Sequence, residues 1–161
     1  MRQSLCFLLT MMIVRMIFVS NSETIKIRYI DSPALEQKDG SDWIDTYIAE
    51  DVSMQPGEFK LISLGFACQL PDGYEAILAP RSSTFKRYGI LQTNSIGVID
   101  NSFASDSDLW MFPAYATRPV VIAKGTRICQ FRIQKKQPTI DFIPVEHLTA
   151  SKRGSFGSTG I

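Results

Sequence analysis

The 161-residue chain has 17 basic and 16 acidic residues and a formal net charge of +1. This length allows one domain with a hydrophobic core that needs no disulfide bonds for its stability. The near-neutral balance gives no indication of nucleic-acid binding or of attraction to a membrane surface.

The first 20 residues differ in composition from the rest of the chain. Residues 5–14 are almost wholly apolar, and Arg15 then interrupts the run. The run resembles the core of a signal peptide but is too short to span a bilayer, which takes about 20 residues, and no clear cleavage site follows it. We interpret residues 1–22 as a non-native or disordered leader outside the core. A signal or anchor and a structured element are the alternatives.

From Ile25 onward the chain alternates short apolar runs with turn chemistry. Pro56-Gly57 and Pro71-Asp72-Gly73 are turn signals, and the only candidate for a helical turn is Ser82 to Tyr88, which Gly89 ends. Short strands at this spacing predict an all-β sandwich or barrel over residues 23–150. The predicted strands are Lys26 to Ile30, Trp43 to Val52, Phe59 to Phe66, Tyr74 to Ala79, Trp110 to Ala116, Val120 to Ala123, Ile128 to Ile133 and Ile140 to Val145.

The run from Arg127 to Ile133 allows a prediction of which side each residue faces. A period of two places Cys129, Phe131 and Ile133 on one side of the strand. Ile128, Gln130 and Arg132 then take the other side. Gln130 is therefore expected to meet a ligand or a neighbouring chain.

Cysteine and histidine provide no recognisable nucleophile or metal motif. The chain has three widely spaced cysteines and one histidine, His147. A zinc site built on cysteine needs close pairs, so we interpret Cys68 and Cys129 as reduced core thiols of a cytoplasmic protein.

Three other groups of residues carry possible chemistry. Arg81-Ser82-Ser83 could hold phosphate oxygens, and Asp100, at the end of an apolar run, could take a proton from water. In the tail of residues 151–161, three glycines, Arg153, Ser158 and Thr159 suit close approach to an anion. Taken singly, each has an ordinary alternative: turn hydroxyls, a turn aspartate and a flexible linker.

The order of these groups is more specific than any one of them. The chain contains, in order, Asp45, Pro-Arg-Ser-Ser, Gly-Val-Ile-Asp, Arg-Ile-Cys-Gln and Arg-Gly-Ser-Phe-Gly-Ser-Thr-Gly. This order resembles the five-motif signature of the trimeric deoxyuridine triphosphatases (dUTPases), and it is most similar to those of Gram-positive bacteria and their phages. The resemblance covers residues 25–160.

The resemblance implies a distorted β jelly roll or barrel with a flexible C-terminal arm over residues 151–161. It also implies a homotrimer in which each active site is built from several chains. The implied reaction is Mg²⁺-assisted hydrolysis of dUTP to dUMP and pyrophosphate, by attack of water on the α-phosphorus. Such an enzyme limits uracil incorporation into DNA and supplies dUMP for thymidylate synthesis. No nucleic-acid partner and no stable membrane association are expected.

The resemblance also implies a role for each matching residue. Asp100 would orient and deprotonate the water, and Asp45 would hold Mg²⁺ through water. The remaining residues would bind substrate: the α- and β-phosphates by Arg81, Ser82, Ser83 and Gln130, the γ end by Arg153, Gly157, Ser158 and Thr159, uracil by Asn94 and the backbone of Gly97, Val98 and Ile99, and the deoxyribose by Phe103, where the family usually has Tyr. Phe156 would cover the uracil, with Trp110 and Phe112 as alternative covers.

Two other functions remain as alternatives. A dCTP deaminase shares the fold and an Arg-Ser-Ser stretch, but that family uses Glu at the position of Asp100. A regulator that binds other proteins through the same fold is the second alternative, and retention of Asp45, Asp100 and Arg153 argues against a catalytically inactive form.

Overall fold

The computed structural model describes residues 22–148, which form short strands and one short helix. The predicted all-β class is confirmed. The strands are β1 (Lys26–Tyr29), β2 (Ile44–Thr46), β3 (Val52–Met54), β4 (Phe59–Ser63), β5 (Phe66–Gln69), β6 (Tyr74–Pro80), β7 (Ile90–Gln92), β8 (Gly97–Ile99), β9 (Met111–Ala116), β10 (Val120–Ile122) and β11 (Cys129–Lys135), and the helix is α1 (Thr84–Tyr88).

The strands pair antiparallel in two larger sheets and two ribbons. One sheet has the order β2-β11-β6-β8, and the other has the order β4-β9-β7. The ribbons are β1-β5 and β3-β10. Because β7 and β8 belong to different sheets, the connection between them, residues 93–96, crosses from one sheet to the other.

An aromatic cluster lies at the centre of the core. The Trp110 ring lies 5.1 Å from the Phe66 ring and 5.1 Å from the Phe131 ring, which it meets edge to face. Phe66 begins β5 and Phe131 lies within β11. The cluster therefore packs strands of different sheets together, since aromatic rings bury a large apolar area and favour tilted contacts.

Two predicted strands are each divided in the structure. Trp43 to Val52 contains β2 and only the first residue of β3, and Phe59 to Phe66 contains β4 and the first residue of β5. In the second case Gly65 has a φ of 72°, and a Cβ there would lie 2.6 Å from the backbone oxygen of Asp31. Only glycine fits this close approach without strain, so the chain breaks the strand there.

The predicted strand Ile140 to Val145 is wrong. The structure assigns no strand to it, and Ile140, Phe142, Ile143 and Val145 are exposed. A strand requires a hydrogen-bonded neighbour, and this segment has none among residues 22–148. β7 and β8 were not predicted as strands, since neither Ile-Leu-Gln nor Gly-Val-Ile alternates apolar with polar residues.

The facing prediction for β11 holds within the strand. Cys129 and Phe131 are buried and Ile133 packs against the core, whereas Arg132 is exposed. Ile128 is an exception, because it precedes β11 and is fully buried. The predicted helical turn is α1, and Gly89 caps it with a φ of 65°.

The leader prediction falls on residues 1–22, of which only Ser22 is described, and the arm over residues 151–161 lies wholly outside the described residues. Across residues 22–148 no helix has the length and apolar character needed to cross a membrane.

Candidate active site

Most of the described site residues gather in two pockets, and Ser82 and Ser83 line neither of them. The first, here called the apolar pocket, has a volume of about 400 Å³, and its lining includes Asn94, Gly97, Val98, Ile99, Asp100 and Phe103. The second, here called the ion-pair pocket, has a volume of about 200 Å³, and its lining includes Asp45, Arg81 and Gln130. The two pockets have no lining residue in common.

The strand register around β11 builds the ion-pair pocket. Gln130 on β11 lies opposite Asp45 on β2 and opposite Ala79 on β6. Arg81 follows the end of β6, where its backbone N–H donates a hydrogen bond of 3.1 Å to the Ile128 carbonyl. Residues more than 80 positions apart in sequence, Asp45 and Gln130, therefore become neighbours through antiparallel pairing.

Two arginines hold the Asp45 carboxylate. Arg81 Nε lies 2.8 Å from Asp45 Oδ1, and Arg127 Nη1 lies 2.9 Å from Asp45 Oδ2. The carboxylate side chain is only 23% exposed, so water screens these contacts less than it screens a surface pair. The three side chains carry a formal net charge of +1, which favours an anion beside them.

The two serines lie at the start of α1. Ser83 is the residue before the helix, and its side chain makes no capping hydrogen bond. Ser82 is exposed and Ser83 is partly exposed. Since neither hydroxyl closes the helix end, both are free to donate to a ligand near Arg81.

The apolar pocket lies between the two larger sheets. β8 and Leu78 of β6 contribute from one sheet, and Leu61 of β4 and Met111 of β9 contribute from the other. Gly97 faces Leu78 across the ladder, and a Cβ at Gly97 would lie 3.1 Å from Leu78 Cβ. The absence of a side chain at Gly97 thus allows β8 to pack closely against Leu78 of β6 in the wall of the pocket.

Among the residues that the structure describes, Asp100 is the only ionisable one in the lining of the apolar pocket. It directly follows β8, and its carbonyl accepts a hydrogen bond of 3.0 Å from the Phe103 N–H. The next side chain anchors this turn, because Asn101 Nδ2 donates to the carbonyls of Leu70 and Pro71 at 2.8 and 2.9 Å. The backbone that carries the exposed Asp100 carboxylate is therefore fixed by a turn, and the carboxylate has no ion-pair partner within residues 22–148.

The proposed alternative covers of the uracil lie in the core instead. Trp110 is 1% exposed and Phe112 is 0% exposed. Trp110 contributes to the lining of the apolar pocket, but its ring packs between Phe66 and Phe131. The other candidate, Phe156, lies outside the described residues together with Arg153, Gly157, Ser158 and Thr159.

Two residues that contact these groups were not predicted from the sequence. Arg127 was read only as part of a motif, although it is the second cation on Asp45. Gln92 is 8% exposed and contacts Asn94 of the apolar pocket. Gln92 is buried on the same side of β7 as Ile90, whereas Leu91 between them is exposed, but the sequence Ile-Leu-Gln does not alternate in polarity, so no local signal identified Gln92 as a buried amide.

Comparisons with known proteins identify relatives of this chain. A family model described as dUTPase matches residues 35–160. A prophage-derived deoxyuridine 5′-triphosphate nucleotidohydrolase of Bacillus subtilis is 54% identical over 138 residues, which cover 84% of this chain and 97% of that protein. A protein of the same name from Thermoanaerobacter is 39% identical over 76% of this chain and 84% of its own length.

Solved structures support the fold. The dUTPase of Staphylococcus bacteriophage 80alpha, in a mutant form with dUpNHpp, aligns with a TM-score of 0.72 at 20% identity, over 87% of this chain and 100% of that chain. A mutant dUTPase of phage phi11, described with a structural Mg(II) ion, aligns with a TM-score of 0.68 at 17% identity, over 78% of this chain and 98% of that chain. These matches confirm the predicted jelly-roll-like architecture, and the family model together with the prophage relative shows that the chain belongs to the dUTPase family.

Proposed function

We propose that this protein hydrolyses dUTP to dUMP and pyrophosphate. The observation that carries the proposal is the 54% identity to the prophage nucleotidohydrolase over nearly the whole of that protein. The geometry agrees, because an apolar pocket with one carboxylate suits a nucleoside, and a pocket lined by Arg81, with Arg127 on the far side of Asp45, offers guanidinium groups to phosphates.

The apolar pocket is the proposed site of deoxyuridine. β8 is an edge strand of its sheet, so one edge of its backbone has N–H and C=O groups that no described strand pairs. Such an edge can bind the polar edge of a base as it would bind another strand. In this proposal Asn94 and the backbone of Gly97, Val98 and Ile99 read the uracil, and the half-exposed Phe103 ring packs on the deoxyribose.

The ion-pair pocket is the proposed site of the α- and β-phosphates. Arg81 uses Nε for Asp45, which leaves N–H groups of its guanidinium for phosphate oxygens. Gln130 and the hydroxyls of Ser82 and Ser83 supply further donors. Arg153, Gly157, Ser158 and Thr159 are assigned to the γ end and Phe156 to the uracil face on the motif alone.

The residues present fit a magnesium ion held mainly by substrate and water. Residues 22–148 contain no cluster of three or more acidic, histidine or cysteine side chains that could hold a metal ion by themselves. Both oxygens of Asp45 contact arginines, which leaves it suited to an outer-sphere role through water, as Mg²⁺ often prefers. When bound, the ion would neutralise charge on the triphosphate.

Asp100 is the proposed general base. Its carboxylate is exposed at the apolar pocket and has no ion-pair partner among the described residues, so it is free to accept a proton from water. The water would attack the α-phosphorus. The bond between this phosphorus and the oxygen that joins it to the β-phosphorus would break, and pyrophosphate would leave. No cysteine, serine or histidine nucleophile is required.

The active site is proposed to be shared between the chains of a homotrimer. The apolar pocket continues onto an exposed apolar face of the three-stranded sheet, formed by Phe59, Leu61, Leu91, Met111 and Tyr115. Exposed apolar side chains also follow β11, in residues 140–148. A lone chain leaves both surfaces in water, whereas an assembly would bury them.

The proposed enzyme acts in the cytoplasm, limits uracil incorporation into DNA and supplies dUMP. The two described cysteines are free and buried, as is typical of proteins from reducing compartments.

The reaction is tested by incubating the purified protein with Mg²⁺ and dUTP, dCTP, dTTP or UTP. We expect pyrophosphate from dUTP alone. Ammonia from dCTP would identify a deaminase, and no turnover of any nucleotide would favour the protein-binding regulator.

A complementation experiment tests the shared site. Asp100→Asn damages the apolar pocket and Arg81→Ala damages the ion-pair pocket, so each homotrimer should be inactive. If one site takes its two pockets from different chains, mixed trimers from co-expression should regain about one active site in four. If both pockets of a site come from one chain, every site keeps a defect and mixing restores nothing.

A further inference from the structure

Gln92 is a buried amide next to the apolar pocket that no motif includes. It ends β7 and is 8% exposed. Its Nε2 donates hydrogen bonds to the Leu78 carbonyl at 3.2 Å and to Asn94 Oδ1 at 3.0 Å. Its Oε1 is buried and has no hydrogen-bond partner within residues 22–148. A buried polar atom without a hydrogen-bond partner lowers the stability of the folded protein, so the Gln92 side chain is present despite its cost in stability.

The backbone decides which end of the Gln92 amide faces Asn94. The Leu78 carbonyl can only accept, so Nε2 and not Oε1 must face it. The second N–H of the same nitrogen then requires an acceptor, and Asn94 Oδ1 provides it. The Asn94 amide is fixed in turn, because the opposite orientation would bring two donor nitrogens together.

This orientation leaves the Asn94 Nδ2 donors without a hydrogen-bond partner among residues 22–148, at the apolar pocket that Asn94 helps to line. Uracil and cytosine differ in the group at position 4 of the base. A 4-carbonyl oxygen, as in thymine and uracil, accepts hydrogen bonds, and the 4-amino group of cytosine donates them. A side chain that offers only donors to position 4, rather than to N3 where cytosine accepts, matches the first and leaves the second unpaired, which is a strong basis for rejection.

We propose that Gln92 is a positioning residue that locks the Asn94 amide with its donors towards the base, and so sets the preference for uracil over cytosine. This inference rests on the proposed function, since it assigns the base to the apolar pocket. Gln92 itself need not touch the nucleotide.

Two substitutions of Gln92 separate this role from space filling. Gln92→Met removes both hydrogen bonds at similar volume and lets the Asn94 amide rotate. Gln92→Glu keeps the shape but offers only acceptors, so Asn94 should turn to donate to it and present Oδ1 to the base. We expect the ratio of kcat/KM for dUTP to that for dCTP to fall about tenfold in Gln92→Met and further in Gln92→Glu. A space-filling role predicts that the isosteric Gln92→Glu retains the wild-type ratio.

Gln134→Met is the matched control. Gln134 Nε2 donates a 2.8 Å hydrogen bond to Glu75 Oε1, and neither residue lines the apolar pocket. This variant loses a glutamine hydrogen bond of similar length and should keep the wild-type ratio. If neither Gln92 variant folds, Asn94→Asp provides the test, because it keeps the contact with Gln92 but replaces the free donors by an acceptor and should shift the ratio towards dCTP.

Binding measurements distinguish failure of this inference from failure of the proposed function. Dissociation constants for dUDP and dCDP are measured by calorimetry for the wild type and the Gln92 variants. A wild type that turns over dUTP, together with an unchanged uracil-to-cytosine ratio in Gln92→Met and Gln92→Glu, overturns the role of Gln92 alone. A wild type that turns over no dUTP overturns the function, and the binding ratio then still decides whether Gln92 sets base preference.

Discussion

The two pockets are held together by different physical means. Backbone ladders and turns form the apolar pocket, since Gly97 is paired with Leu78 and the turn at Asp100 is anchored by Asn101. The ion-pair pocket also depends on a strand ladder, but long charged side chains complete it, where Arg81 and Arg127 meet on Asp45. The first arrangement suits recognition of a flat, rigid base. The second can adjust to a flexible, highly charged group, and it should respond to ionic conditions.

The largest expected effect comes from the carboxylate of the apolar pocket. Asp100→Asn keeps the shape of the side chain but removes the proton acceptor, so kcat should fall about 10²–10⁴-fold, the usual contribution of a general base. Calorimetry should find dUDP binding nearly unchanged, because the turn at Asp100 is fixed by backbone and by Asn101. Wild-type kinetics in this variant would remove Asp100 from the chemical step.

The contrast between the pockets also shows how far the sequence could predict the structure. The Cys129, Phe131 and Ile133 side of β11 was predictable because alternation along one strand is a local signal. The pairing of Asp45 with Arg127 was not, since it depends on the register of β2 against β11. The order of the motifs therefore identified the candidate site residues, whereas the contacts between these residues could be seen only in the folded structure.

The segment Ile140 to Val145 illustrates a different limit. Its composition fits a strand, but a strand forms only where a partner exists, and the residues described here offer none within the chain.

Gln92 illustrates a third limit of prediction from the sequence. Its polar side chain appears unsuited to a core, and only the positions of the Leu78 carbonyl and Asn94 explain it. Local patterns thus predicted elements and faces, whereas contacts across sheets were beyond them.

An intermediate effect is expected from the ion-pair pocket. Asp45→Asn removes the negative charge between Arg81 and Arg127, which then repel each other. We expect kcat/KM for dUTP to fall about tenfold or more, the usual cost of losing an outer-shell partner of a metal site, with a higher Mg²⁺ concentration needed for half-maximal rate. Steady-state kinetics at several Mg²⁺ and salt concentrations measure both changes.

Asp31→Asn is the control for that variant. Asp31 forms an ion pair of 2.6 Å with Lys124, but both side chains are more than half exposed and neither lines the ion-pair pocket. Surface pairs contribute little, so this variant should behave as the wild type. An Asp45→Asn enzyme with an unchanged Mg²⁺ requirement would separate Asp45 from the metal and restrict it to holding the arginines.

The smallest expected effect concerns the buried side of β11, beneath the ion-pair pocket. Burial raises the pKa of the Cys129 thiol from 9.0 to about 12, the Thr46 hydroxyl acts in the opposite direction, and Asp45 raises the pKa further. The unfolded chain loses this proton near pH 9, whereas the folded chain keeps it until about pH 12. The stability contributed by the neutral thiol is therefore complete below pH 9 and is lost as the pH rises towards 12.

Urea unfolding at pH 8 and pH 10 should show a smaller decrease in unfolding free energy for Cys129→Ala than for the wild type, because the variant lacks this ionisation. Equal decreases in the two proteins would mean that the Cys129 thiol is not protected by the core, and that the ion-pair pocket admits water to the inner side of β11.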